Sequence, residues 1–198
     1  MRRRLFSGSM TTTGFASRVA VAATCALSAA GSAVGADGKL ERGEYIVNTT
    51  GCHDCHTPWI IGKQGPEPDM SRMLSGHPAS LQMPPPPQLP TGPWVVVSSG
   101  SNTAFAGPWG ISFTANLTPD PDTGLGQWTL RNFIDTMRTG RRMGRGRPIL
   151  PPMPIPSYKN YSDQDLEAIY TYLRSIPPIQ NQVPEPSLPD MGGPMGKK

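Results

Sequence analysis

Apolar residues recur at the three-to-four spacing of an α-helix in three short segments of this 198-residue chain. The spacing predicts helices over 40–50, 130–139 and 163–176. Thr129 and Ser162 directly precede the second and third segments, where a hydroxyl side chain can cap the first backbone N–H groups. The predicted apolar face of the last helix consists of Leu166, Ile169, Tyr170, Leu173 and Ile176.

The stretches between these helices lack such a period. Residues 62–115 are predicted to form one extended loop, rich in proline and glycine. The chain has 24 Pro and 22 Gly, roughly double ordinary usage. Three modest helices give too little apolar surface for this length, so we expect a large buried ligand to complete the core. We therefore predict a mostly α-helical domain over 37–178 with a long loop insertion, followed by a disordered tail over 179–198.

Residues 1–36 are typical of an export signal peptide. Four arginines form a positive region, and residues 19–36 are small, apolar and uncharged. The small residues Val34-Gly35-Ala36 fit a cleavage site, which predicts a mature protein that begins at Asp37 and lies in the periplasm. The alternative is an uncleaved leader that serves as a membrane anchor.

The charge and composition exclude several classes of protein. Residues 1–36 hold four of the 18 Lys and Arg and none of the 14 Asp and Glu, so the remainder of the chain is formally neutral. Nucleic-acid binding is therefore not indicated. The composition also excludes a polytopic membrane protein and a coiled coil, and the lack of Val/Ile-rich runs disfavours a large parallel sheet.

The segment Cys52-His53-Asp54-Cys55-His56 is a C-x-x-C-H motif, the attachment signature of a c-type haem. Two thiols at this spacing can each form a thioether with a vinyl group of the porphyrin, which places His56 beneath the iron as proximal axial ligand. The alternatives are a structural zinc site, a Cys52–Cys55 disulfide and a thioredoxin-like redox pair. A zinc site would need a second Cys/His pair, and a thioredoxin-like pair would follow a strand; the sequence offers neither. The export signal favours haem.

Further segments, in the order of the chain, accompany this motif. They are Glu41-Arg42-Gly43-Glu44-Tyr45, Gly51 to Pro58, Asn116-Leu117-Thr118-Pro119-Asp120, Thr123 to Trp128, Pro151-Pro152-Met153-Pro154 and Asp165 to Arg174. With them the chain resembles the class I cytochrome c family. More closely, it resembles bacterial periplasmic monohaem cytochromes related to the haem domains of multihaem dehydrogenase cytochrome subunits. The resemblance implies a small cytochrome c-like fold around one haem.

The distal axial ligand is assigned to Met153. This residue lies between Pro152 and Pro154, whose fixed φ angles stiffen the loop. It also precedes the final helix, where the resembled family has its methionine ligand. Met143 is the second candidate, and Met137 is expected in the core.

Two further expectations concern the surroundings of the haem. The resemblance implies that His56 donates its other ring N–H to a carbonyl of the segment 115–117. A basic stretch follows the second long helix and consists of Arg138, Arg141, Arg142, Arg145 and Arg147. It is either a solvated loop or a group in which one or two arginines neutralise haem propionates and the rest steer an acidic partner.

These observations predict a periplasmic one-electron carrier with one covalent haem c that cycles between Fe(II) and Fe(III), not an enzyme. Its partners would be redox proteins, with membrane association only if the leader is retained. We expect Gly43 to let the first helix approach the Tyr170/Leu173 face of the last. One alternative is a haem relay subunit of a periplasmic dehydrogenase or oxidase complex. The other is an open-site haem peroxidase or gas-binding protein, for which His77 is the spare histidine.

Overall fold

The computed structural model describes residues 22–87 and 92–188. Residues 1–21 of the predicted signal and residues 189–198 of the predicted tail lie outside the described residues. The chain divides into two compact units, 1–37 and 38–198. In the first, the described backbone is helical; the core and the site below belong to the second. Within the described ranges, no helix has the length and apolar character needed to span a membrane.

Five α-helices occur in the described residues. They are α1 (Ala22–Thr49), α2 (Cys52–His56), α3 (Leu130–Thr139), α4 (Ile155–Tyr158) and α5 (Asp163–Ser175). Helices α1, α3 and α5 match the three segments that the apolar spacing predicts, but α1 begins well before residue 40, and α1 and α5 each end one residue earlier than predicted.

The ends of the two later helices follow from their capping residues. The Thr129 side chain accepts a hydrogen bond from the backbone N–H of Asn132, whose own side chain accepts from the Thr129 N–H. Gly140 ends α3 in the left-handed conformation, at φ 67°. The Ser162 side chain accepts from the backbone N–H of Asp165 at the start of α5. The predicted caps are thus confirmed.

The core joins α1, α3 and α5. Its buried residues are Ile46, Val47, Leu74, Leu125, Phe133, Leu166, Ile169, Tyr172, Leu173 and Ile176. Gly43 brings α1 against α5, because a Cβ at this position would lie 2.0 Å from the Ala168 carbonyl oxygen and 2.9 Å from the Tyr172 Cβ. The close approach is confirmed, but it meets Ala168 and Tyr172 and not the predicted Tyr170/Leu173 face.

The prediction of a mostly α-helical fold is wrong, because the region predicted as an extended loop contains short strands. The described residues contain a two-stranded and a three-stranded antiparallel sheet. The strands are β1 (Trp59–Gly62), β2 (Gly65–Pro68), β3 (Val97–Ser98), β4 (Ala104–Gly107) and β5 (Gly110–Phe113), in the orders β1-β2 and β3-β4-β5.

Two tight hairpins explain these strands. Gly62 pairs with Gly65 and Gly107 pairs with Gly110, so two residues form the turn in each case. Gly65 and Gly110 have positive φ values of 121° and 96°, which glycine adopts without steric cost. Hairpin pairing therefore satisfies backbone groups within these strands.

Residues 179–187, which we call the C-terminal strap, run along the domain although the sequence places them in the tail. Ser187 forms a β-bridge with Ile111, at the edge of β5. Asn181 is buried and hydrogen-bonds the backbone of the 75–79 turn. The strap also lines the cavity described next, through Gln182, Val183, Pro184, Glu185 and Pro186.

Candidate functional site

The C-x-x-C-H motif forms a helix of its own, separated from α1 by a sharp turn. Gly51 adopts the left-handed conformation at φ 79°, which directs the chain from α1 into α2. The single turn of α2 places Cys52, Cys55 and His56 on the wall of one cavity. Cys52 and Cys55 are not joined by a disulfide and are partly buried.

His56 has the tautomer that a metal ligand needs. Its Nδ1 lies 2.8 Å from the Ala115 carbonyl oxygen, which accepts a hydrogen bond, so Nδ1 carries the proton. Nε2 is therefore left with its lone pair. The pKa of His56 lies below its ordinary value, mainly because the imidazole is buried, and the ring therefore stays neutral. The carbonyl partner expected within 115–117 is thus present at Ala115.

The cavity opens to solvent, and together with its mouth it spans about 1760 Å³. Its wall is mainly apolar, with aromatic and aliphatic side chains from several elements; among them are Phe105, Leu125, Trp128, Phe133 and Leu166. Met153 also lies on this wall. The cavity therefore brings together both thiols, the imidazole and the thioether that the sequence selects.

The loop that carries Met153 is fastened at both ends. Ser112 on β5 donates from its hydroxyl to the Pro151 carbonyl at 2.6 Å. On the other side, the Ile155 N–H donates to the Met153 carbonyl at 2.8 Å as α4 begins. Met143, the second candidate, instead lines an adjoining cavity, which shares Arg142, Arg147 and Glu185 with the first. Met137 lines the main cavity and also packs on the core.

Tyr158 is a site residue that the sequence reasoning missed. Its hydroxyl donates to the Thr50 carbonyl at 2.5 Å, which joins α4 to the chain just before the cysteine motif. Burial raises the pKa of this phenol to about 12, so it remains a donor at neutral pH. The contact joins the loop of Met153 to the segment before Cys52. A backbone carbonyl as partner leaves no signal in the sequence.

The basic stretch is not uniform. Arg138 pairs with Asp163 at 2.5 Å, and Arg147 pairs with Glu185 of the strap at 3.1 Å. Arg142 lies over the Trp128 ring, 5.8 Å from its centroid. Arg142 and Arg147 both line the main cavity, and so does Glu185, whose carboxylate balances the charge of Arg147.

His77, the spare histidine, lies outside the residues that line the cavity. It is fully buried, and its Nε2 donates to the Leu81 carbonyl at 3.0 Å. Its Nδ1 accepts from the Thr103 hydroxyl at 2.9 Å. With both nitrogens satisfied by protein groups, His77 acts as a structural residue. Within the described part of the chain, no three His, Cys, Asp or Glu side chains group as a metal site.

Comparison with known proteins identifies relatives for most of the chain. No protein-family model matches it. It is 36% identical over 87 residues to a nicotinate dehydrogenase component of Pseudomonas putida, covering 44% of this chain and 7% of that protein. It is 28% identical over 161 residues to the alcohol dehydrogenase (quinone) cytochrome c subunit of Gluconobacter oxydans, covering 79% and 26%. It is 26% identical over 144 residues to a diheme cytochrome c-type of Cereibacter sphaeroides, covering 73% and 38%.

The chain thus spans well under half the length of these curated relatives. Other relatives of this kind are named as cytochrome subunits of gluconate 2-dehydrogenase and fructose dehydrogenase. Together with the site, the comparisons support a c-type cytochrome related to dehydrogenase cytochrome subunits. Proteins of this class transfer electrons through haem.

Proposed function

We propose that this chain transfers single electrons through one covalently attached haem c. Cys52 and Cys55 would form the two thioethers, His56 would be the proximal iron ligand and Met153 the distal one. The observation that supports this most strongly is that all four residues line a single, mainly apolar cavity. One C-x-x-C-H motif occurs in the sequence, which supports one haem and not two.

The residues present suit that group chemically. The hydrogen bond from His56 to the Ala115 carbonyl leaves the Nε2 lone pair available for a metal. The apolar wall excludes water and lowers the local dielectric, as a buried porphyrin requires. When bound, the haem supplies an iron that alternates between Fe(II) and Fe(III). The thioether of Met153 is a soft, neutral donor, which favours the reduced state.

Arg142 would offset propionate charge, and Arg147 would do so in part, because it also pairs with Glu185. Arg142 and Arg147 line the cavity, and both are fixed by a neighbour, Trp128 and Glu185 respectively. A guanidinium can donate two parallel hydrogen bonds to a carboxylate, which makes arginine suited to this task. We assign the propionate end of the haem to this side of the cavity.

The chain would work as a haem relay that exchanges electrons with a redox partner protein. The names of the relatives, which are cytochrome subunits of dehydrogenases, favour a dehydrogenase complex over a freely diffusing carrier. We place this exchange in the periplasm, because residues 1–36 resemble an export signal. With both axial positions taken by protein, the chain itself would be a non-catalytic component.

A redox titration of the purified, haem-loaded chain tests this function. We expect a low-spin spectrum in both states, one reversible one-electron transition, and no binding of carbon monoxide to the reduced form. A variant with both Cys52→Ser and Cys55→Ser should release any pigment into acidified acetone, whereas the unchanged chain should retain its colour. A high-spin wild type that binds carbon monoxide readily would favour the open-site alternative.

A further inference from the structure

Asn181, in the C-terminal strap, is bonded to the turn that lies next to His56. It is buried, with 7% of its surface exposed. Its side-chain nitrogen donates to the carbonyls of Ser75 and His77, at 2.7 and 2.8 Å. Its side-chain oxygen accepts from the Ala79 N–H at 2.9 Å. The side-chain amide of Asn181 therefore engages both its N–H donors and its oxygen in hydrogen bonds to this one turn.

That turn contacts both His56 and the carbonyl that His56 bonds. The Gly76 N–H donates to the His56 carbonyl at 2.8 Å. Gly76 has φ 78°, and a Cβ there would lie between 2.5 and 2.7 Å from Thr114 O, Ala115 C and Ala115 O. The turn therefore lies in backbone contact with the peptide whose oxygen accepts from His56 Nδ1.

The strap also bonds to residues 114–118, which we call the acceptor segment because they include the Ala115 carbonyl. The Asn116 side chain donates to the Ile179 carbonyl at 2.8 Å, and the Ile179 N–H donates to the Thr118 hydroxyl at 3.1 Å. The His77 N–H donates to the Thr114 carbonyl at 3.0 Å, which joins the turn to the same segment. Strap, turn and acceptor segment thus form one hydrogen-bonded network of side-chain and backbone groups.

We propose that Asn181 is a positioning residue for the proximal imidazole. By holding the 75–79 turn against the Ala115 peptide, it fixes the length of the His56 Nδ1–H···O bond. This inference rests on the proposed function, in which His56 binds the iron. A hydrogen bond to the outer nitrogen raises the basicity of an imidazole ligand and stabilises the ferric state. Loosening the turn should weaken that bond and raise the reduction potential.

The test compares Asn181→Ala with Ile46→Ala in the haem-loaded full chain. Ile46 is a buried core residue of α1 and is not among the residues that line the cavity, so its variant controls for lost stability alone. Asn181→Ala should keep its covalent haem and low-spin spectrum. At a fixed applied potential, the Fe(II)/Fe(III) ratio of this variant should be about tenfold higher than that of the unchanged chain. This corresponds to a rise of about 59 mV in the one-electron reduction potential. The NMR signals of the His56 ring should move with it, and Ile46→Ala should change neither.

An unchanged potential and unchanged His56 signals in Asn181→Ala, with haem intact, would overturn the inference and leave the proposed function standing. A wild type without covalent haem would instead overturn the proposed function. If Asn181→Ala does not fold, amide hydrogen exchange of the wild type decides. The Gly76 and Ala79 amides should open together with matching protection; protection of Ala79 more than about tenfold below that of Gly76 would overturn the inference.

Discussion

Replacing Gly43 by alanine should separate α1 from α5. The added methyl would lie 2.0 Å from the Ala168 carbonyl oxygen and 2.6 Å from its carbon. These are backbone atoms, so no side chain can rotate away, and the helices must move apart by about 1 Å or more to restore van der Waals contact. Overpacking of this kind costs about 3 kcal/mol at its upper range. Alanine regains about 1 kcal/mol of helix propensity over glycine, so we expect a net loss of about 2 kcal/mol.

Denaturant and thermal unfolding of the haem-loaded chain measure this effect. At this chain length, about 2 kcal/mol corresponds to a decrease of about 4 to 8 °C in Tm. Gly38→Ala is the matched control, because Gly38 lies in the same helix and a Cβ there would meet nothing within 4 Å. Because Gly38 lies next to the predicted mature N-terminus at Asp37, that variant should gain less than about 1 kcal/mol from propensity. If Gly43→Ala proves as stable as Gly38→Ala, the close contact of α1 with α5 is refuted.

Two further predictions concern the distal ligand and acid stability. Met153→Ala should abolish the weak charge-transfer band at the red end of the ferric spectrum, lower the reduction potential and allow carbon monoxide to bind the iron. Met143→Ala, the control, should do none of these. An unchanged band in Met153→Ala would exclude Met153 as the distal ligand. The hydrogen bond from Arg42 lowers the pKa of Asp165 below its usual value of about 3.9. The pair therefore contributes fully to folding stability above about pH 5, and this contribution is lost as the pH falls through the lowered pKa. Arg42→Met should therefore lose less than about 1 kcal/mol at neutral pH, and a smaller amount once the pH falls below the lowered pKa, where only the contact of Arg42 with the Tyr45 ring remains; unfolding across pH measures both. An equal loss at both pH values would contradict the prediction.

Helices could be predicted from the sequence where their signals are local. Thr129 and Ser162 cap their helices through hydrogen bonds three residues along the chain, so the residue types alone mark the starts. The strands were missed because each has two to four residues and no clear alternation; β1, for example, exposes its two central residues. The spacing Gly-x-x-Gly at 62–65 and 107–110, which forms both hairpin turns, is the signal that could have indicated them.

The site likewise contains residues that the sequence predicts and residues that it does not. Cys52, Cys55 and His56 are contiguous in sequence, so their grouping is fixed by one helical turn. The contacts of Tyr158 and Asn181 were out of reach, because each joins a side chain to backbone carbonyls about a hundred residues away. Any residue type can supply a carbonyl, so only the folded chain brings such partners together.

The mass of the intact, denatured protein tests the central claim most directly. The chain should be expressed with haem-attachment machinery, unfolded, treated with a thiol-alkylating reagent and weighed. We predict the polypeptide mass plus one haem, with peptide mapping that locates both thioethers at Cys52 and Cys55 and finds neither thiol alkylated. A polypeptide without added haem, alkylated at both cysteines, would contradict the assignment of this chain as an electron-transferring c-type cytochrome.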